Sequence, residues 1–229
     1  GNLVDPPMRA ALSLAYERIE SDDDIRVAII RGAGDKAFCS GGDIDAYTAN
    51  GVFGPGAQQL PPIPRPWRIW KPFIAAINGY AVGGGFALTL ACDLRVAGKG
   101  AKMGPTGLRR GAVQGAQQSQ RLPRLIGMGK ALELLLLSKY VGGEEAAAIG
   151  LVQAVVEDDQ VMDFALDWAR TMASYDPWAV QKTKELVYGS LDMSMEEGFA
   201  QESEVMKQSY QREEALAGFS AFLQKPDKA

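Results

Sequence analysis

A chain of 229 residues, 47% of them hydrophobic, is long enough for one large core, or for a core with a small appendage. Its net charge of −4, with basic residues scattered rather than massed, argues against nucleic acid as a partner. The longest apolar run, Ala131 to Leu137, is interrupted by Glu133 and is far too short to span a bilayer. The histidine count of 0 is the sharpest exclusion: it removes Ser-His-Asp and Cys-His catalysis, most zinc sites and a histidine base. Acid–base work is left to carboxylates, tyrosine, lysine or water. No stretch reads as a signal peptide. Cys39 and Cys92 sit in apolar surroundings without metal-ligand spacing, as in a cytoplasmic protein with buried, reduced thiols.

Asp5 is placed to cap a helix with Pro6 at its first position, and Met8, Leu12, Ala15, Tyr16 and Ile19 mark the buried face of that helix. Asp22, Asp23 and Asp24 end it. Ile25 to Arg31 reads as a strand, closed by the turn Gly32-Ala33-Gly34-Asp35. Residues 49–66, rich in Gly, Pro and Gln, read as a loop or lid. Phe73 to Ile77 is a buried strand, a helix runs from Gly84 to about Cys92, and Leu94 to Ala97 is another strand. Helical signals follow: Gly115 to Ile126 with a break at Pro123, then Lys130 to Ser138. Val152 to Val156 is the last strand candidate. Beyond it the pattern predicts only helices, at 161–174, after the cap Asp176 with Pro177 in the first turn, at 194–209 and at 211–224. The composition therefore divides the chain into a mixed α/β part, residues 1–160, and an all-helical part, residues 161–229. Leu3 to Asp5 lies directly at a helix start, so no strand is expected before that helix and residues preceding Gly1 are expected.

Two glycine clusters stand out. One is Ser40-Gly41-Gly42-Asp43-Ile44, after Ala37-Phe38-Cys39; the other is Gly83-Gly84-Gly85, which opens a helix after a strand. Each has two readings. It is either a tight turn, or a backbone left bare so that a ligand can approach unpaired N–H groups at a helix end. The second cluster lacks the dinucleotide spacing and no Walker lysine follows it, so nucleotide phosphate is a weak reading.

Lys71-Pro72-Phe73-Ile74-Ala75-Ala76-Ile77-Asn78-Gly79-Tyr80-Ala81-Val82-Gly83-Gly84-Gly85, continued by Ala91-Cys92-Asp93-Leu94-Arg95, resembles the crotonase superfamily, the enoyl-CoA hydratase/isomerase family. The segments Ala37 to Ile44, Gly127 to Val156 and Ala221-Phe222-Leu223 agree with it, so the resemblance covers nearly the whole chain. It implies an α/β fold: a crotonase-like ββα spiral core with a C-terminal all-helical region. It also implies that the Gly42 and Gly84 N–H groups form an oxyanion hole for an acyl-CoA carbonyl. Ser40, Gly41, Asp43 and Ile44 would then cradle coenzyme A, which is part of the substrate, so no separate cofactor is implied. Asn2 and Leu3 resemble the end of a segment that lines the same pocket. The helical region would build a homotrimer or a dimer of trimers, using Met195, Phe199, Met206, Leu216, Phe219, Phe222 and Leu223.

The chain departs from that family in two places. Ala87 and Gly107 stand where family hydratases carry their two glutamates. Restoring both as Glu is expected to raise hydration, the foreseen obstacle being a positive φ at Gly107. Gln114, in the loop ending at Gly115, is a candidate to hydrogen-bond the substrate; with Gln117, Gln118 and Gln120 it also reads as the polar face of a helix. Arg109 and Arg110 read either as surface ion pairs or as contacts for CoA phosphate. Tyr47 and Thr106 are further candidates. Tyr80 is expected in the core beside the glycine triplet, at the edge of the pocket. Functionally the chain reads as an acyl-CoA enzyme whose reaction (decarboxylation, isomerisation, thioester cleavage or hydration with an unusual proton donor) relies on the oxyanion hole. The competing reading is an acyl-CoA-binding or assembly protein that has lost its chemistry.

Overall fold

The computed structural model describes residues 2–43 and 69–223. The chain forms two compact units, Gly1–Thr171 and Met172–Ala229.

The first unit opens with a two-residue strand, β1 (Leu3–Val4), so a strand does precede the first helix, contrary to the sequence reading. Helix α1 (Pro6–Ser21) starts as expected. The Asp5 side chain accepts the Met8 N–H at 2.8 Å, and proline fills a position that needs no donor. Strands β2 (Ala28–Arg31), β3 (Ala37–Cys39) and β4 (Gly41–Gly42) follow. After the undescribed stretch come β5 (Phe73–Ile77), β6 (Tyr80–Val82), helix α2 (Gly84–Ala91), β7 (Leu94–Gly98) and β8 (Lys102–Gly104). The unit continues with α3 (Gln118–Ile126), α4 (Met128–Leu136), β9 (Val141–Gly142), α5 (Gly143–Ala148), β10 (Ala154–Val156) and α6 (Val161–Ala173).

Among the described residues, one sheet has the order β10-β7-β5-β2 and is wholly parallel. A second has the order β3-β6-β8-β9, with only β9 antiparallel to its neighbour. Successive strand pairs (β2 and β3, β5 and β6, β7 and β8) each place one strand in either sheet, which is the ββα spiral. Strand β5 is its axis. Its five residues are 0% exposed, and Tyr16 of α1 packs edge-on against Phe73 at 6.0 Å. Burying each such large apolar side chain contributes about 1.5–3 kcal/mol. The Lys71 ammonium donates to the Asp22 carbonyl at 2.7 Å and ties the end of α1 to the start of β5.

Pro123 does not break α3. The helix continues through it, carrying Leu122 at 0% exposure against α2 and α4. The loss of one helical N–H is smaller than the gain from that packing. Val161 and Ala165 are buried in the first half of α6, and the first compact unit ends at Thr171, near the end of that helix.

The second unit contains α7 (Pro177–Gly189), α8 (Met195–Tyr210) and α9 (Glu213–Leu223). Asp176 caps α7 by accepting the Ala179 N–H at 2.9 Å. Ser194 and Glu197 form a reciprocal capping box on α8, which holds the Glu197 carboxyl below its usual range. Arg212 stacks on Trp178 at 4.8 Å and reaches Asp176 at 3.5 Å. No described helix is long and apolar enough to cross a membrane.

Candidate active site

Two asparagines fix the turn that delivers the first glycine cluster. Asn78, just after β5, accepts the Gly32 N–H at 3.1 Å and donates to the Gly32 and Gly34 carbonyls at 3.1 and 2.7 Å. Asn2, at φ 51°, donates to the Ala33 and Ala37 carbonyls at 2.9 and 2.7 Å. Strand β1 then pairs Leu3 with Gly41 and Val4 with Gly42. The Asn2-Leu3 segment therefore lies beside the glycine cluster. The sequence reading missed the clamping roles of both asparagines; an asparagine directly after a strand and facing a glycine turn is the signal that could have found them.

The second cluster is shaped by close approach. Gly83 precedes α2 at φ 56°, ψ −117°, donates to the Gly104 carbonyl at 3.0 Å and accepts the Ala87 N–H at 3.0 Å. A side chain at Gly85 is excluded, because its Cβ would lie 2.1 Å from the Cys39 carbonyl oxygen. Glycine there lets the first turn of α2 press against β3. The two clusters consequently meet. A Cβ on Gly84 would sit 3.6 Å from the Gly42 nitrogen, and one on Gly41 would sit 3.4 Å from the Gly84 nitrogen. The N–H groups of a helix's first turn have no partner within the helix and lie at its positive end.

The far end of α2 is held by guanidinium groups. Arg95, 2% exposed, donates to the Cys92, Leu151 and Thr89 oxygens at 2.7, 2.8 and 3.4 Å, and Arg121 donates to the Leu90 oxygen at 3.0 Å. Cations at a helix C-terminus complement its carbonyls, so the helix that presents Gly84 is anchored from behind.

Ala87 and Gly107 are the positions at which the sequence resemblance expects the two family glutamates. Ala87 is 1% exposed in the first turn of α2. Gly107 has φ −58°, so backbone conformation is not what excludes a side chain there, in contrast to the sequence reading. The obstacle is space. A Cβ would lie 2.8 Å from both the Val113 oxygen and the Gln114 Oε1, and 2.9 Å from the Ala112 oxygen. Gln114 is buried and fully engaged. Its Oε1 accepts the Gly107 N–H at 2.9 Å, and its Nε2 donates to Leu135 O at 3.2 Å and Ser138 Oγ at 3.0 Å. Its amide is therefore committed to the fold rather than offered to a ligand.

Other candidates separate more clearly. Ser40 is exposed, Asp43 is half-buried beside Gly42, and Ile44 and Tyr47, like residues 49–66, lie outside the described residues. Tyr80 is not core. Strand alternation turns Ala81 inward, and Tyr80 is 47% exposed with Lys102 Nζ 5.9 Å from its ring centre. Gly115 is exposed and its carbonyl accepts from both the backbone and the side chain of Gln118. Gln117 and Gln120 bond Arg121 and Arg124 along α3, as polar groups on a helix face do. Arg109 donates to the Ser138 carbonyl at 2.5 Å and stacks over Tyr140 at 4.6 Å. Glu133 and Glu145 flank Lys139; the two lysines beside Glu133, Lys130 and Lys139, hold its carboxyl below the usual range. Burial pushes the Cys39 thiol up, against a smaller opposing hydrogen bond from the Gly41 backbone. Among the described residues no group of three or more Cys, Asp or Glu converges as a metal site requires.

Residues 2–229 match the family model described as enoyl-CoA hydratase/isomerase. The (E)-benzylidenesuccinyl-CoA hydratase of Thauera aromatica is 38% identical over 227 residues, covering 96% of this chain and 87% of that protein. The short-chain-enoyl-CoA hydratase of Clostridium acetobutylicum is 34% identical, covering 90% and 80% respectively. The crystal structure of an enoyl-CoA hydratase from Bacillus anthracis superposes with a TM-score of 0.90 at 33% identity, covering 95% of this chain and 86% of that one. The chain belongs to the enoyl-CoA hydratase/isomerase family, the crotonase superfamily.

Proposed function

We propose that this protein binds an acyl-CoA thioester and stabilises the charge that develops on its carbonyl oxygen with the Gly42 and Gly84 N–H groups. The observation that carries this reading is the meeting of the two glycine backbones, with Gly42 N only 3.6 Å from the Cβ position of Gly84. Two donors fixed by β1, by Asn2 and Asn78, and by the anchored helix α2 need no reorganisation as charge builds. Each donor of this kind is worth about 2.7–4 kcal/mol of transition-state stabilisation. With Ala87 and Gly107 at the glutamate positions, no carboxylate stands there to activate water or to move a proton. The chemistry that best suits this arrangement forms the thioester enolate without a side-chain base. Decarboxylation does so: the bond to the departing carboxylate supplies the electron pair, carbon dioxide leaves, the enolate oxygen is held by the two N–H groups, and water then protonates the α-carbon to give the shortened thioester. Turnover against a panel of CoA thioesters, read by mass spectrometry, tests this. Loss of 44 mass units from a malonyl-type thioester supports it, and a panel in which no thioester binds or reacts overturns it.

Hydration is a second reading, favoured by the hydratase names of the relatives. It requires water to be positioned by groups other than the two glutamates. The same panel separates the two, since hydration adds 18 mass units to an enoyl thioester.

A further inference from the structure

Thr106 lies against Gly83, which precedes α2, and directly before Gly107 in the chain. It follows the buried Pro105 at the end of β8, is half-buried, and presents its hydroxyl rather than its methyl to Gly83. The Oγ1 lies 2.7 Å from the Cβ position of Gly83, against 3.9 Å for Cγ2. The hydroxyl thus takes up the space that the missing side chain of Gly83 leaves beside the start of α2. Among the described residues it has no protein hydrogen-bond partner, whereas the neighbouring Gly107 N–H is already bound by Gln114. Arg110 brings a guanidinium to within 3.5 Å of the Thr106 carbonyl.

We infer that Thr106 is a specificity residue: its hydroxyl receives a second, anionic group on the acyl chain, so that the preferred substrates are CoA thioesters of dicarboxylic acids. This rests on the acyl-CoA reading above. Two glutamates at positions 87 and 107 would repel an acyl carboxylate, whereas Ala87 and Gly107 do not. A neutral hydroxyl can donate to that carboxylate, and Arg110 adds a favourable charge nearby. The assignment puts that carboxylate within one or two carbons of the thioester carbonyl, since Thr106 lies against Gly83, the residue next to Gly84. The arrangement would also suit a carboxylate that is to be lost, because it fixes the direction of the bond that breaks.

Binding measures this without any assumption about the reaction. Succinyl-CoA and butyryl-CoA share a four-carbon acyl chain and differ in the terminal carboxylate. Calorimetry on the full chain should show succinyl-CoA bound more tightly by about tenfold, as one hydrogen bond to a charged group provides. Thr106→Val should bring the ratio of the two dissociation constants close to one, and Thr106→Ser, which keeps the hydroxyl, should retain the preference. Thr106→Ala repeats the test if the valine variant does not fold. Equal affinities in the wild type, equal weakening of both ligands by Thr106→Val, or loss of the preference in Thr106→Ser would each overturn the assignment while leaving the acyl-CoA reading intact. A wild-type protein that binds neither thioester would overturn both.

Discussion

The Gln114 side chain bridges Gly107 and Ser138, accepting the Gly107 N–H at 2.9 Å while its Nε2 donates to the Ser138 hydroxyl at 3.0 Å. This ties the loop that follows β8 to the end of α4, and it does so from a position 8% exposed. A side chain that reads as a ligand contact in the sequence is, in the fold, the fastener of the loop that carries Gly107. Gln114→Ala leaves the half-buried Gly107 N–H without its acceptor and takes one donor from the Leu135 carbonyl, which keeps the Ser138 N–H at 3.4 Å; a loss of this kind costs about 1–3 kcal/mol. Urea denaturation should therefore show Gln114→Ala destabilised by about 1–3 kcal/mol. A change below the error of that measurement would mean that water replaces the amide.

Arg95 makes a second prediction from the same logic. It is 2% exposed and supplies hydrogen bonds to Cys92, Thr89 and Leu151. Arg95→Leu leaves those carbonyls buried and removes the cation from the C-terminal end of α2. The loss should be at least about 3 kcal/mol, seen as a fall in Tm of roughly 10 °C. Because α2 also presents Gly84, acyl-CoA affinity should drop under conditions where the variant is still folded.

The features legible in the sequence were those set by local chemistry. Asp5 and Asp176 are caps because a carboxylate followed by proline suits a helix start, and Phe73 to Ile77 is a buried strand because five apolar residues run together. What escaped was short or depended on distant partners. Strands β1, β4 and β9 have two residues each, too few for any periodicity. The exposure of Tyr80 follows from the direction in which β6 sets its alternation, which an apolar run does not reveal. The glycine clusters were readable through family resemblance, but the steric bar at Gly107 comes from the Ala112 and Val113 carbonyls folding back over it. Backbone spacing of that kind leaves no trace in residue type.

Cys39 gives a prediction in pH. Its folded pKa lies above the usual 9.0, first because burial disfavours the thiolate. The folded state therefore holds the thiol proton more tightly than the unfolded chain. The corresponding stability is fully present below pH 9.0 and is lost as pH rises through the higher folded value. Alkylation followed by mass spectrometry at pH 7 to 8 should leave Cys39 unmodified in the native protein and label it on addition of denaturant. Rapid native labelling would contradict the burial.

Assembly is a further expectation. In the second unit Met195, Phe199, Leu216, Phe219, Phe222 and Leu223 are all more than half exposed in the isolated chain. Apolar side chains so exposed on successive helices are more than a soluble surface normally shows, and we expect them to be covered by other copies of the chain, as trimers or dimers of trimers. Sedimentation velocity at micromolar concentration should give a species of at least three chains. Phe199→Glu combined with Phe222→Glu should shift it toward monomer. A wild-type monomer would sink the idea.

The last prediction concerns hydration itself. If the two N–H groups act without a carboxylate pair, the wild-type protein should hydrate crotonyl-CoA slower than a glutamate-bearing hydratase by at least about 10², the lower bound for one positioned acid or base. The structure also changes the expectation for restoring the pair. Gly107→Glu places a Cβ within 2.9 Å of two backbone oxygens and against Gln114, so the loop at residues 111–115 must move before any carboxylate can reach the site. Ala87→Glu puts a charge where the present side chain is 1% exposed, at a desolvation cost that an unpaired carboxylate does not recover. The double variant should therefore be less stable than the wild type and no better as a hydratase. Its crotonyl-CoA activity, followed by the loss of enoyl absorbance, should stay within a few-fold of the wild-type rate, since paired catalytic groups act only when both are placed. Efficient hydration by the wild type would show that another group moves the proton, and a large gain in the double variant would show that the residue 111–115 loop yields more readily than its packing implies.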